Sequence, residues 1–192
     1  MEPNPRSFDA ATCLKSLAAI EAEVQRLTAD LTEAQFQAPP RTGGWSIGYC
    51  IEHLTLAGDR FLAEWAAALN RAEPNTRHCG GFAYSWLQRR IIAFAEPPYG
   101  FKIKATKPLE PCARRSREQT VRRFLQMHRE FARRVSASQA YDTRRIKVRS
   151  PLLSFGRYPL GMSFDLALAH ERRHLWQALQ VRNQLALKEA EL

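Results

Sequence analysis

Two histidines near the end of the sequence carry its most distinctive chemistry. Residues 170–174 read His-Glu-Arg-Arg-His and match H-E-x-x-H, the zinc-binding signature of many metalloproteases. On a helix, His170 and His174 would lie one above the other because residues four apart share a face. The pattern predicts either two ligands of one metal ion or two core histidines that bond to other polar groups.

The neighbours on that face indicate that both imidazoles point into the protein. They are small or apolar residues, namely Ala167, Ala178 and Val181. Buried imidazoles without partners would cost about 1–3 kcal/mol for each unmet hydrogen-bonding group. One zinc ion would satisfy both rings at Zn–N distances of about 2.0–2.1 Å. We therefore favour a metal site over a pair of core histidines.

A metal site of this kind usually needs a third ligand. The remaining histidines are His53, His78 and His128, and carboxylates are further candidates. His78 lies in a loop, where periodicity gives it no position. His128 lies on the apolar face of one predicted helix, and His53 lies at the edge of the apolar face of another. The residues alone leave the choice between His53 and His128 open.

The surrounding sequence argues against a protease. His174 is followed by LWQALQVRN, which lacks the glycine and histidine of the metzincin continuation. A thermolysin-like enzyme has two histidines and a glutamate as ligands. The nearest downstream acids, Glu189 and Glu191, are predicted at the end of the same helix, which cannot bend back onto its own middle. No predicted sheet offers an edge that could hold an extended peptide.

Helical periodicity dominates the elements that must position these histidines. Ser46 is predicted to cap the helix that carries His53, because its hydroxyl can accept from a free N–H of the first turn. Proline-rich loops separate the helices, and strand-like stretches at 102–105 and 146–148 are each too isolated to form a sheet. The predicted helices span residues 13–31, 47–69, 82–95, 116–135 and 163–188. This pattern predicts an all-α fold, a bundle of four long helices with one short extra helix.

Length, charge and cysteine usage narrow the classes of protein. The 192 residues are predicted to form a single domain, residues 1–192. No apolar run approaches the ~18 residues of a membrane helix, and the first residues lack a signal-like apolar region, so we expect a cytoplasmic protein without a membrane partner. Four dispersed cysteines are predicted to be reduced thiols. The net charge of +10 is interpreted as a solvated arginine-rich face, because no nucleic-acid-binding motif accompanies it.

Two segments of the chain resemble one protein family. They are GGWSIGYCIEHL at 43–54 and LALAHERRHLWQ at 166–177, which are similar to segments of the DinB-like proteins, also called the DinB/YfiT family. The resemblance extends over nearly the whole chain. It implies a four-helix bundle of DinB/YfiT type and a divalent metal ion, zinc or nickel foremost, held by three histidines. By position these would be His53, His170 and His174, which makes His128 a core residue or a hydrogen-bond partner near the site.

The resemblance also implies a kind of chemistry. Similar proteins carry out transfer and isomerisation with low-molecular-weight thiols, and hydrolysis of a small-molecule substrate is the near alternative. An open coordination position would acidify a water or thiol. Glu171 is a candidate base or ligand-orienting group, or else a solvated carboxylate paired with an arginine. Gln177 is a candidate to bond a ligand or substrate, and Trp45 to pack a loop or line the pocket. Arg172 and Arg173 are predicted at the surface.

Two other functions stay open at this point. One is a metal-stabilised binding or scaffold protein without turnover, and the other is nucleic-acid binding through the arginine-rich segment 114–149, which we consider much weaker. Proteins with this bundle often dimerise, so a homodimer is also predicted.

Overall fold

Four long helices lie around a shared core in the computed structural model, which describes residues 5–41, 43–75, 80–98, 107–111, 115–152 and 156–190. The helices α1, α3, α5 and α6 form the bundle, and the pairs that pack together are α1–α5, α1–α6, α3–α5 and α3–α6. The short α4 packs on α6. The helix bounds are Ala10–Thr28 for α1, Glu33–Gln37 for α2, Ile47–Leu69 for α3, Trp86–Ala95 for α4, Arg117–Ser138 for α5 and Leu160–Ala190 for α6. The predicted all-α bundle is confirmed.

Side-chain caps fix where α3 and α5 begin. The Ser46 hydroxyl accepts from the backbone N–H of Tyr49 at 3.1 Å, as the sequence predicts. Ser116 caps α5 in the same way, and the Gln119 side chain accepts from the Ser116 backbone N–H to complete a capping box. These caps satisfy N–H groups that have no partner within the helix, so each start is set locally by sequence.

Aromatic side chains fill the centre between α3, α5 and α6. The Trp65 ring lies 4.5 Å from Phe131 and 4.7 Å from Phe164, measured between ring centroids. Its indole N–H donates to the Ser163 hydroxyl at 2.9 Å, so the buried polar atom of the tryptophan is satisfied. This packing fixes α3 against α6, the two helices that carry the histidines of interest.

Short antiparallel strand pairs were not predicted. Ser7–Phe8 (β1) pairs with Phe82–Ala83 (β2), so α4 begins only at Trp86, after the Ser85 cap. Lys147–Val148 (β3) pairs with Tyr158–Pro159 (β4). The expectation that 146–148 is too isolated to form a sheet is therefore wrong, because its partner lies in the segment that was interpreted as a loop. The other strand-like stretch, 102–105, falls outside the described residues.

Two further expectations concern membrane-spanning helices and the state of the cysteines. Among the described helices, none is both long and apolar enough to span a bilayer. Cys13 and Cys50 are buried free thiols, as predicted, and Cys79 and Cys112 lie outside the described residues.

Candidate metal centre

Three histidines from two helices meet inside one end of the bundle. His53 comes from α3, and His170 and His174 come from α6. One ring nitrogen of each histidine lies within 4.8 Å of those of the other two. The Nε2 atoms of His53 and His170 are 3.2 Å apart, although 117 residues separate them in sequence. Within the described ranges, this is the set of ligating side chains that converges closely enough to share one ion.

Hydrogen bonds fix which nitrogen of two of these rings is free. The Nδ1 of His53 lies 2.7 Å from the backbone carbonyl oxygen of Leu109, which can only accept, so Nδ1 carries the proton. The Nδ1 of His174 donates to the amide oxygen of Gln177 at 3.0 Å. In both rings Nε2 is therefore left with a lone pair that faces the other histidines. A second partner on the far nitrogen is the usual arrangement for histidines that hold a metal.

The environment keeps all three rings uncharged. Burial lowers the pKa of His53, which is 3% exposed, below its usual value. Burial lowers the pKa of His170 further, and the nearby rings and Arg173 add to the effect. Burial also lowers the pKa of His174 to about 3. Neutral imidazoles are the form that binds metal ions, so the site offers its lone pairs at neutral pH.

The lone pairs fit a cation better than they fit one another. A single proton on the Nε2 of His170 could bridge to the Nε2 of His53, but the Nε2 of His174 would still lack a donor within that pair. A divalent ion would accept all three lone pairs at once, and three imidazoles suit zinc, nickel, copper or iron. Three protein ligands also leave a coordination position open, which is typical of catalytic sites.

Trp45 lies against the histidine cluster from the loop that precedes α3. Its ring centroid is 4.7 Å from that of His53 and 5.7 Å from that of His174. The indole therefore forms a wall beside two of the three rings. Of the residues that the sequence proposed for the surroundings of the site, Trp45 and Gln177 contact these three histidines directly.

Glu171 and His128 contact each other on another face of α6. Glu171 Oε2 is 3.1 Å from His128 Nε2, and both side chains are buried. His128 Nδ1 lies 3.4 Å from a carboxylate oxygen of Glu21 on α1. Burial lowers the pKa of His128, but the two carboxylates outweigh that effect and raise the pKa overall. The alternative in which Glu171 is a solvated carboxylate paired with an arginine is wrong.

Arg172 and Arg173 are largely buried, which corrects the expectation that they lie at the surface. Arg172 forms an ion pair with Glu96, with its Nε 2.9 Å from a carboxylate oxygen. Arg173, 7% exposed, donates to the carbonyl oxygen of Phe94 at 3.1 Å. This burial has no signal in the sequence pattern, because it arises from the short α4, which covers a second face of α6.

Four consecutive residues of α6 thus contact three other parts of the chain, namely α3, α5 and the end of α4. His170 faces α3, Glu171 faces α5, Arg172 faces the residue after α4, and Arg173 faces α4 itself. The histidine motif is therefore held in place by contacts on every side of the helix.

Comparisons with known proteins agree with this architecture. The family model of the DinB superfamily matches residues 16–178. A solved structure, described as that of YfiT from Bacillus subtilis, "a probable metal-dependent hydrolase with an unusual four-helix bundle topology", is similar to the chain with a TM-score of 0.59 and 13% identity. That similarity covers 92% of this chain and 87% of YfiT. No match was found among curated proteins.

Acid should destabilise the metal-free protein through the lowered histidine pKa values. An unfolded histidine titrates near ~6.5, whereas the pKa of His174 in the fold is about 3. Its contribution to the free energy of unfolding is therefore complete above pH ~6.5 and is lost as the pH falls toward 3. At pH 5 this loss amounts to about 2 kcal/mol for His174 alone. Urea unfolding of chelator-treated protein at pH 7.5 and pH 5 measures it.

The His174→Gln variant is the matched control for this measurement. It should lower the difference in stability between the two pH values by the same amount. An undiminished difference in the variant would show that His174 is not the group responsible. His128 acts in the opposite direction, because its raised pKa gives stability that is present below pH ~6.5 and is lost as the pH rises.

Proposed function

The chain belongs to the DinB superfamily, and on that basis we propose that it is a divalent-metal-dependent enzyme that acts on a small molecule. The ligands would be His53, His170 and His174, with zinc or nickel as the ion. The observation that carries the proposal is the convergence of three neutral imidazoles whose nitrogens lie within 4.8 Å of one another.

The residues of the chain would each contribute to holding and shielding such a site. Leu109 and Gln177 orient His53 and His174 by accepting from their Nδ1–H groups. Trp45 keeps water away from one side of the cluster. A bound divalent ion would supply Lewis-acid chemistry, lowering the pKa of a water or thiol and polarising a substrate.

Two kinds of reaction are consistent with this arrangement. Transfer or isomerisation with a low-molecular-weight thiol is our first proposal, and hydrolysis is the second. The positive charge of Arg173 is close enough to lower the pKa of both His170 and His174. Such a charge would favour a nucleophile or substrate that is itself anionic, as a thiolate is. The description of YfiT as a probable metal-dependent hydrolase supports the second reaction type.

The geometry makes Glu171 a poorer candidate for the general base than its place in the sequence motif suggests. Its carboxylate is engaged with His128 on the α5 side of the helix. We therefore propose that Glu171 positions α6 through His128, and that the bases or donors of the reaction come from the histidine side.

A non-catalytic role is the alternative. His53 and His170 are both buried, so a bound ion would also join α3 to α6 as a structural link. Binding an ion to the folded state alone stabilises a protein by roughly 4 kcal/mol when the ion exceeds its Kd a thousandfold. A scaffold stabilised in this way would need no substrate.

Metal content is the first test of the proposed site. Protein purified without chelator should carry one divalent ion per chain, measured by inductively coupled plasma mass spectrometry. His53→Ala and His170→Ala should each weaken metal affinity by more than ~100-fold. Loss of a group that only hydrogen-bonds to a metal ligand already weakens affinity about 10–100-fold. His128→Gln is the control, since His128 contacts two carboxylates and should leave the metal in place.

If the single-ligand variants keep their ion while remaining folded by circular dichroism, the three-histidine site is wrong. Loss of the ion from His128→Gln alone would place the metal site at His128 and its carboxylate partners Glu21 and Glu171 instead.

Turnover separates the enzyme from the scaffold. The metal-loaded protein should convert at least one pair from a panel of low-molecular-weight thiols with electrophiles, or hydrolyse at least one ester or amide. His170→Ala should abolish that conversion. His128→Gln should reduce it only in proportion to the fraction of protein that this variant leaves unfolded. A protein that binds its ion, melts at a lower temperature after chelation and turns over nothing would be the scaffold.

We also propose that the protein is a cytoplasmic homodimer that pairs through α4. Trp86, Leu87 and Phe94 of this helix are 68%, 61% and 50% exposed, an unusual density of exposed large apolar side chains for a helix of ten residues. Light scattering coupled to gel filtration should give a dimer mass for the protein and a monomer mass for Trp86→Ser. Leu179→Ser, at another exposed apolar position, should stay dimeric. A monomeric parent protein would refute this assembly.

A further inference from the structure

A cavity lies toward the other end of the bundle from the histidines. We propose that this end of the chain binds a small molecule that carries phosphoryl groups. The site is a cavity of about 340 Å³ between the C-terminal end of α3 and the β3–β4 hairpin. Ala68, at its wall, lies fifteen residues beyond His53 on α3, roughly 22 Å along the helix axis. The two sites are therefore separate.

Positive side chains from three separate segments converge on this cavity. Arg71 follows α3, Arg145 and Lys147 belong to the turn and strand after α5, and Arg157 precedes β4. Two acidic residues, Glu73 and Asp142, also line it, which leaves a formal excess of two positive charges. This excess charge would attract an anion to the cavity.

Some of these charged side chains already have partners within the protein. Asp142 accepts from the backbone N–H groups of Arg144 and Arg145, and its other oxygen lies 3.5 Å from the Arg145 guanidinium. Lys147 donates to the carbonyl oxygen of Arg144 at 2.9 Å. Asp142 is thus the internal counter-ion of Arg145 and is held by the turn itself.

The side chains of the other two arginines have no such partners among the described residues. The side chains of Arg71 and Arg157 make no hydrogen bond or ion pair with any part of the chain that the structure describes. Arg71 comes from the segment after α3 and Arg157 from the residue before β4, and both line the cavity. Guanidinium groups present paired N–H donors that match phosphate oxygens, so two of them facing one cavity favour a ligand with more than one anionic group.

The backbone that carries these cations is fixed by hydrogen bonds. Ile146 accepts from the N–H of Leu160, and Thr143 accepts from the N–H of Gly161, so the turn is joined to the start of α6. Lys147 is in register with Pro159 in the strand pair. Because the frame is already ordered, a ligand would have to order little beyond the arginine side chains.

The size of the cavity favours a small molecule over a polymer. Its volume lies at the lower end of the range of about 300–1,000 Å³ that is typical of small-ligand sites. Nucleic acid would instead follow an extended positive surface. Inorganic pyrophosphate, with two phosphoryl groups, is therefore the probe that fits the proposed site.

Calorimetry with pyrophosphate tests the proposal. The titration uses chelator-treated protein at constant ionic strength, so that pyrophosphate cannot act through a metal. The parent protein should bind one pyrophosphate with a submillimolar Kd and bind acetate undetectably. Arg71→Gln and Arg157→Gln should each weaken binding about tenfold, as expected when one charge-assisted contact is lost.

Arg129→Gln is the matched control, because Arg129 is an exposed arginine on α5 that does not line the cavity. It should bind as the parent does, and so should His170→Ala. Equal weakening in all three arginine variants would show a diffuse charge effect and overturn the site. Absence of binding at millimolar pyrophosphate would overturn it as well.

Two further arms identify the source of the phosphoryl group. Phosphatidylcholine vesicles with and without phosphatidic acid test a lipid headgroup, by co-sedimentation. Retention of the protein on the acidic vesicles, lost in Arg157→Gln, would assign the site to a lipid; no retention, with pyrophosphate bound, assigns it to a free metabolite. Tighter binding of a single-stranded oligonucleotide than of pyrophosphate, lost in the same variant, would overturn the small-molecule proposal.

Discussion

Keeping three uncharged imidazoles together, away from water, is the constraint on which this structure depends. Each ring needs a donor or a cation at its free nitrogen and an acceptor at the other nitrogen. For His53 and His174 the chain supplies these acceptors from outside the cluster, at Leu109 and Gln177. The packing of α3 against α6 supplies the distances. An ion would then complete a site whose orientation is already set, so little rearrangement would accompany its binding.

The parts of this structure that could be predicted have signals that are local in sequence. Apolar residues at spacings of three and four mark the four long helices, and Ser46 marks the start of the one that carries His53. The shared helical face of His170 and His174 follows from their spacing alone. The early start of α6 was missed because it begins at Leu160, directly after a strand and without a polar cap.

The features that could not be predicted depend on which helices and loops pack against each other in the folded chain. Spacing could not choose between His53 and His128, since both lie on buried helical faces and only the packing decides which helix each one contacts. The carbonyl oxygen that orients His53 has no sequence signal at all, because every residue carries one. The burial of Arg172 likewise depends on α4, whose position on α6 is a tertiary property.

The four consecutive contacts of α6 have a consequence for how this sequence can vary. Adjacent residues of a helix are about 100° apart, so one inserted or deleted residue upstream would turn all of residues 170–173 away from their four partners together. Substitutions at single positions, in contrast, leave the other three contacts to hold the helix. Descendants of this chain should therefore accumulate replacements within 170–173 far more readily than changes of length in α6 before it, and the bundle should preserve the phase of this helix even where its chemistry has been lost.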